Sequence, residues 1–408
     1  MKIQPKNWQL VKCGDVIDVR DGTHDTPLYV QEGIPLVTSK NLTNKGIDFS
    51  SAPFISFEDH EKIIKRSKVD KGDILFAMIG TIGNPTIVET DEEFSIKNVA
   101  LFKFSKSSVS ARYFLHLLQS HFIKDQFEKE TRGGNQKFVS LGMLRNLKIP
   151  LPPLEEQKRI AAVLDKADEV RAKRRAALVQ FDSLLQSVFL DMFGEPEHTI
   201  YKAECLDDVC EKITDGAHLT PSYVSEGVAF LRVSDVQGKF IDWSSVKRIP
   251  VNEHQEMMRR CRPEKGDVLY SKNGTIGIPR LIDWTEEFSF FVSLAILKPK
   301  RDRLLGEYLE SFLKTPFALR QATKHTKTGT VSNLHLTEIK KIKLPLPPLD
   351  TQQKWVLMKN SLQKKREVYE KALNLTEIFF KSLQQRAFAG ELFGAESVEA
   401  DLLETAVL

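Results

Sequence analysis

Little in this chain points to metal or redox chemistry. Its four cysteines, Cys13, Cys205, Cys210 and Cys261, form no CxxC pair, so the ligand spacing of a zinc site is missing and reduced thiols without metal are expected. No charged-then-apolar leader opens the sequence, and no unbroken apolar run approaches the ~18 residues of a membrane span, which argues against secretion and membrane insertion and for a cytoplasmic protein. The string "GTIG" ending at Gly83 lacks the Lys of a phosphate loop, and no Gly-rich cofactor loop follows a strand and opens a helix. The nearest approach to the acidic-aromatic-proline tetrapeptide of an amino-methyltransferase is "NPTI" at Asn84, without its aromatic. "EIK" at Glu338 lacks the upstream acid of a metal nuclease, and His24 and His218 have no nucleophile beside them and read as structural. No catalytic residue is assigned. A net charge of +4 over 408 residues leaves any basic surface to be a local one.

What the chain does have is a repeat. "KIPLPPLEEQKRI" at Lys148 to Ile160 returns as "KLPLPPLDTQQKW" at Lys343 to Trp355, 195 residues on. "DGTHDTPLYVQEG" from Asp21 returns as "DGAHLTPSYVSEG" from Asp215, and "KGDILFAMIGTIG" from Lys71 as "KGDVLYSKNGTIG" from Lys265, both at an offset of 194. "EEFS" stands at Glu92 and Glu286, and "MFGE" at Met192 is matched with "LFGA" at Leu392. These blocks keep one order, so a unit of about 200 residues is used twice, as a whole domain with its connector.

The proline phrase reads as a junction. Paired prolines stop the strand before them, and a helix follows, with Glu155 and Glu156 on its first turn in one copy and Asp350 as N-cap in the other. Both helices carry one apolar stripe at alternating steps of three and four. The first seam holds Ile160, Val163, Val170, Phe181 and Val188, interrupted by Arg174; the second holds Met358, Leu362, Tyr369, Phe379 and Leu383. Helices of this length with one stripe need a partner, and an antiparallel coiled coil between the two is expected. Short β-branched and aromatic runs such as "DILFAMI" and "FVSLAILKP", set between Gly, Pro and Asn turns, make the rest mixed α/β (α+β) globules.

Two similar domains on a stiff spacer suit a long periodic anion, and double-stranded DNA is the leading candidate. Two other classes stay open: a stand-alone enzyme acting on DNA, and a scaffold that binds only protein through the coiled coil.

The "DGTH.TP" and "KGD.L......GTIG" blocks, the "PLPPLEEQ.RI...LD" junction and the closing "QQRAFAGEL" at Gln384 to Leu392 resemble the DNA-specificity subunit of type I restriction-modification systems over essentially residues 10 to 394. That resemblance implies target-recognition domains at 1–153 and 195–349, spacer helices at 154–194 and 350–394, and an acidic tail at 395–408. It implies that each half reads one part of an asymmetric bipartite target with the coiled coil setting the gap. Two modification subunits would carry S-adenosylmethionine and the methyl transfer, this chain binding no cofactor; a restriction subunit is a further partner in the family. Base and phosphate contacts are sought among Arg, Lys, Asn, Gln and hydroxyl side chains of turns and Gly-bearing loops. The candidates are Lys40, Asn41, Arg132, Asn135, Gln136 and Lys137 in the first half, and Arg232, Lys272, Asn273, Lys324, Lys327 and Thr328 in the second.

Overall fold

The computed structural model describes residues 8–43, 46–80, 82–130, 138–195, 198–324 and 333–393, except the side chains of Glu130 and Asp182. The chain forms two compact units, one of Met1–Arg175 with Lys371–Leu408 and one of Ala176–Glu370. The division falls inside the two long helices rather than at their ends.

In the first unit a four-stranded antiparallel sheet runs in the order Asp18–Asp21, Val99–Lys103, Ile74–Ala77, Gly83–Ile87. The β-branched and aromatic content of the two central strands suits a sheet covered on both faces, and every residue of both is buried. Alternate side chains separate accordingly. Ile74, Phe76, Ala100 and Phe102 join Tyr113, Phe114 and Leu117 on one face, while Leu75, Ala77, Val99 and Leu101 meet Val37 and Ile96 on the other. The second unit repeats this with Cys210–Asp215, Leu294–Pro299, Val268–Ser271 and Pro279–Leu281 in the same order. A smaller sheet in each unit pairs one parallel neighbour and one antiparallel neighbour with a central strand, Ile34–Val37 in the first and Val228–Leu231 in the second. Gly80, Gly83, Gly274 and Gly277 all have positive φ and shape the turns after the central strands.

Each junction is built alike. Lys148–Leu151 pairs antiparallel with Gln9–Lys12, and Lys343–Pro345 with Ala203–Cys205. The Tyr113 hydroxyl donates to the Pro150 carbonyl at 2.8 Å, and that of Tyr308 to Pro345 at 2.7 Å. The helices that follow span Leu154–Phe193 and Leu349–Ala389. Asp350 lies inside the first turn instead of capping it, its carboxylate accepting from the Thr351 amide. The glycines that close the helices are Gly194 and Gly390, with φ of 75° and 76°. The sequence match of "MFGE" with "LFGA" is therefore displaced, because chemical likeness there does not follow helix position.

Within each unit the helix segments run antiparallel. In the first, Arg171 stacks on Phe380 and pairs with Glu377, and the Arg174 guanidinium donates to the Ala372 carbonyl at 2.8 Å and to the Thr376 hydroxyl. In the second, Phe181 meets Tyr369 edge to face and Phe189 meets Trp355. Of the expected seam, Ile160 and Leu383 are core residues; Val163, Val170, Phe181, Val188 and Leu362 are half-buried. Met358, Tyr369 and Phe379 are largely exposed, and the seam takes Phe380 where the stripe placed Phe379. Leu383, further along the same stripe, stays in the core, so the slip is confined to this one turn. By length and composition part of the first long helix would qualify as a membrane span, yet Gln180, Asp182, Gln186 and Asp191 interrupt it and its Phe189 and Phe193 lie in the second unit's core.

Candidate nucleic-acid interface

The "DG.H" blocks sit where the first strand of each main sheet ends. Gly22 and Gly216 pass so close to the neighbouring chain that an added Cβ would lie 2.2 Å from the Ile96 carbonyl oxygen and 2.0 Å from that of Phe290. Only glycine allows the turn that follows Asp21 and Asp215. Both carboxylates are buried, and each gathers cations from separate elements.

In the first unit Asp21 is held by Arg66, from the last turn of the helix Phe57–Ser67, and by His24 Nε2 at 3.0 Å. The Nδ1 of His24 lies 2.9 Å from Asn98 Oδ1. Asn98 and then Asp21 thus favour the doubly protonated ring and raise its pKa above the ordinary value. In the second unit Asp215 is held by His218 Nε2 at 3.2 Å, Arg260 Nη2 at 2.8 Å and Lys272 Nζ at 3.3 Å. Burial would raise the Asp215 pKa, but His218 and Lys272 outweigh it and the group titrates below the usual carboxylate range. Asp21, His24 and Asn98 line an open cavity of about 230 Å³, and Asp215, His218 and Arg260 line one of about 550 Å³. Among the described residues no cluster of His, Cys, Asp or Glu could hold a metal ion.

The residues singled out in the sequence fall in several places. Arg132, Asn135, Gln136, Lys137, Lys327 and Thr328 lie outside the described residues. Lys40 and Lys324 are exposed. Asn273 is half-buried, and its Oδ1 has no hydrogen-bond partner among the described residues. Asn41 is only 2% exposed, and both ends of its amide are used within the fold: Oδ1 accepts from the Thr38 amide and hydroxyl, and Nδ2 donates to the Asp48 carbonyl and the Ser51 hydroxyl. It has no edge left for an adenine. Arg232 stands at the equivalent turn of the second unit and is held by Asp235, whose carboxylate also accepts from the Arg232 amide. Lys272 is buried against Asp215. Asn41 and Lys272 are spent within the fold, since an Asn or Lys used on a turn or in a buried ion pair looks in sequence like one offered to a ligand; the Arg232 side chain keeps 35% of its surface exposed. Arg66 and Arg260 escaped notice because their partners lie 45 residues away.

The family model described as "Type I restriction modification DNA specificity domain" matches residues 5–178 and 201–365. The chain is 22% identical over 388 residues to the EcoKI specificity subunit of Escherichia coli strain K12, covering 88% of this chain and 82% of that one. It is 22% identical over 413 residues to the MjaVIII specificity subunit of Methanocaldococcus jannaschii, covering 95% and 93%. Among solved structures, a chain from a study of complex assembly and conformational transition of the type I R-M system superposes with a TM-score of 0.62 at 20% identity, covering 96% of this chain and all of that one. The repeated unit, its order along the chain and the span of the match agree: the chain belongs to the type I restriction-modification DNA specificity family.

Proposed function

We propose that the chain is the sequence-reading subunit of a type I restriction-modification complex, each unit contacting one half of a bipartite DNA target. The observation that carries this is a conserved frame around unlike ends. Strand order and junctions repeat, whereas Met78 stands opposite Lys272, Asn98 opposite Val292, and the turn with Lys40 and Asn41 opposite Ser234 and Asp235 at an offset of 194. Two readers of this kind bind an asymmetric target with the long helices setting the gap.

The chain itself transfers no methyl group in this reading; two modification subunits bring S-adenosylmethionine and the chemistry. Exposed apolar residues on the helices support a partner surface, Leu375 and Ile378 in the first unit and Val179, Leu357 and Val368 in the second. The cytoplasm, where DNA and partners meet, is the compartment this role requires. The test is to map methylated adenines in DNA from cells carrying the chain with its modification subunits. A bipartite asymmetric motif is the expected outcome, together with duplex binding whose log K falls linearly with log salt. Methylation independent of this chain, or binding without a salt slope, overturns the proposal.

A further inference from the structure

The two Asp–His–Arg clusters match residue for residue at an offset of 194, Asp21 with Asp215, His24 with His218 and Arg66 with Arg260. Here the carboxylate alone is buried, while the His24 and Arg66 side chains are 61% and 65% exposed and those of His218 and Arg260 are 59% and 51% exposed. In the first unit Arg66 and a protonated His24 share one carboxylate, and in the second Arg260 and Lys272 alone outnumber it, so each cluster keeps an excess of at least one positive charge. Glu253 and Glu256 stand on the rim of the second cavity, so the anion must be met by the cations at its Asp215 end.

What repeats in both units must meet something common to both half-sites. Bases are not common, because the residues at the sheet ends differ. The sugar-phosphate backbone is common, and one phosphodiester charge suits the surplus on each cluster. Resting on the reading of the chain as a DNA-binding subunit, we infer that Arg66 and Arg260 each hold one backbone phosphate, with Asp21 and Asp215 orienting them; both ring nitrogens of His24 are engaged by Asp21 and Asn98, so it adds charge and not a contact. These residues register each unit on the duplex without reading sequence.

The test compares the full chain, assembled with its modification subunits, with Arg66→Gln and Arg260→Gln variants and with Arg66→Lys, titrating a target duplex and a scrambled duplex across salt concentrations. Each Gln variant should weaken both duplexes by the same factor, roughly tenfold, and reduce the salt slope by about 0.9. Arg66→Lys should keep the slope, because it keeps the charge. Thermal unfolding of each variant distinguishes a lost contact from a lost fold: a lowered Tm with an unchanged salt slope makes the cluster structural and overturns the inference. Loss confined to the target duplex would make it a base reader, and loss of assembly with the modification subunits at unchanged slope would make it a protein contact; both overturn it. If the unaltered complex binds neither duplex, the DNA-binding reading falls and takes the inference with it.

Discussion

Gln157 and Gln352, 195 residues apart, make the same three hydrogen bonds in the two units. Oε1 of Gln157 accepts from the Ser110 amide at 2.8 Å, and its Nε2 donates to the carbonyls of Pro152 and Ser108. Oε1 of Gln352 accepts from the Leu305 amide at 2.9 Å, and its Nε2 donates to those of Pro347 and Arg303. Both side chains are buried. The glutamine is why the proline phrase is repeated with its "Q" in place: it ties the start of each long helix to its own domain.

Replacing Gln157 with Leu takes the partner from the half-buried Ser110 amide and the buried Pro152 carbonyl and should destabilise the first unit by about 1–3 kcal/mol. Gln352→Leu should act equally on the second. The two sites share no partner, so the costs should add in the double variant, as read from urea denaturation followed separately in each unit by hydrogen exchange.

Glu310 is buried and paired with Lys359 at 2.7 Å and Lys314 at 2.9 Å. Burial alone would raise its pKa, but the two lysines outweigh that and hold it down to about 2. A depressed folded-state pKa stabilises above the unfolded value of ~4.3, and that contribution is lost as pH falls toward 2. In Lys359→Met the Glu310 pKa should rise, moving acid unfolding of the second unit to higher pH. At an offset of 195 the first unit has Leu115 and Leu164 in these places, so the double change Glu310→Leu with Lys359→Leu should be tolerated, as buried pairs replaced by apolar residues often are. Acid titration followed by circular dichroism distinguishes the cases.

Adjacent phenylalanines test the seam. Phe380 is 4% exposed and Phe379 41%. Phe380→Ala should cost about 3–5 kcal/mol and Phe379→Ala under about 1 kcal/mol. A larger loss at Phe379 than at Phe380 in thermal unfolding would show that the stripe as read from sequence has the right position.

Removing a heptad from each long helix, residues 180–186 with 366–372, keeps the side-chain faces in step and takes out about 10 Å of rise. The half-sites should stay the same while the gap between them shrinks by about three base pairs. Methylation mapping with an unchanged gap would remove the helices from that role.

The repeat, the junctions and the long helices were legible because each rests on local signals: paired prolines, a stripe of period near 3.5, and identical strings at one offset. Phe380 in place of Phe379 marks the limit of a stripe read without its partner. Asn41 serves a turn and not a base, because the two make the same demand on a side chain and only geometry shows which is met. His24 was read as structural from its lack of a nucleophile. Its hydrogen bonds to Asp21 and Asn98 account for its position, but the solvent-facing side of the ring has no counterpart in the string "DGTH".

The first unit is made of two remote stretches of chain, and its main core includes Trp8 at one end and Phe388 and Leu392 at the other. The second unit is continuous, 176–370. On the ribosome, the domain that emerges first must therefore wait for the last residues before its core can close, while its successor is already complete. At ~5–20 residues per second that delay is on the order of ten to forty seconds. Throughout it the apolar ends awaiting their cover are open to chaperones or to a nascent copy of the same chain, so the order of folding runs against the order of synthesis.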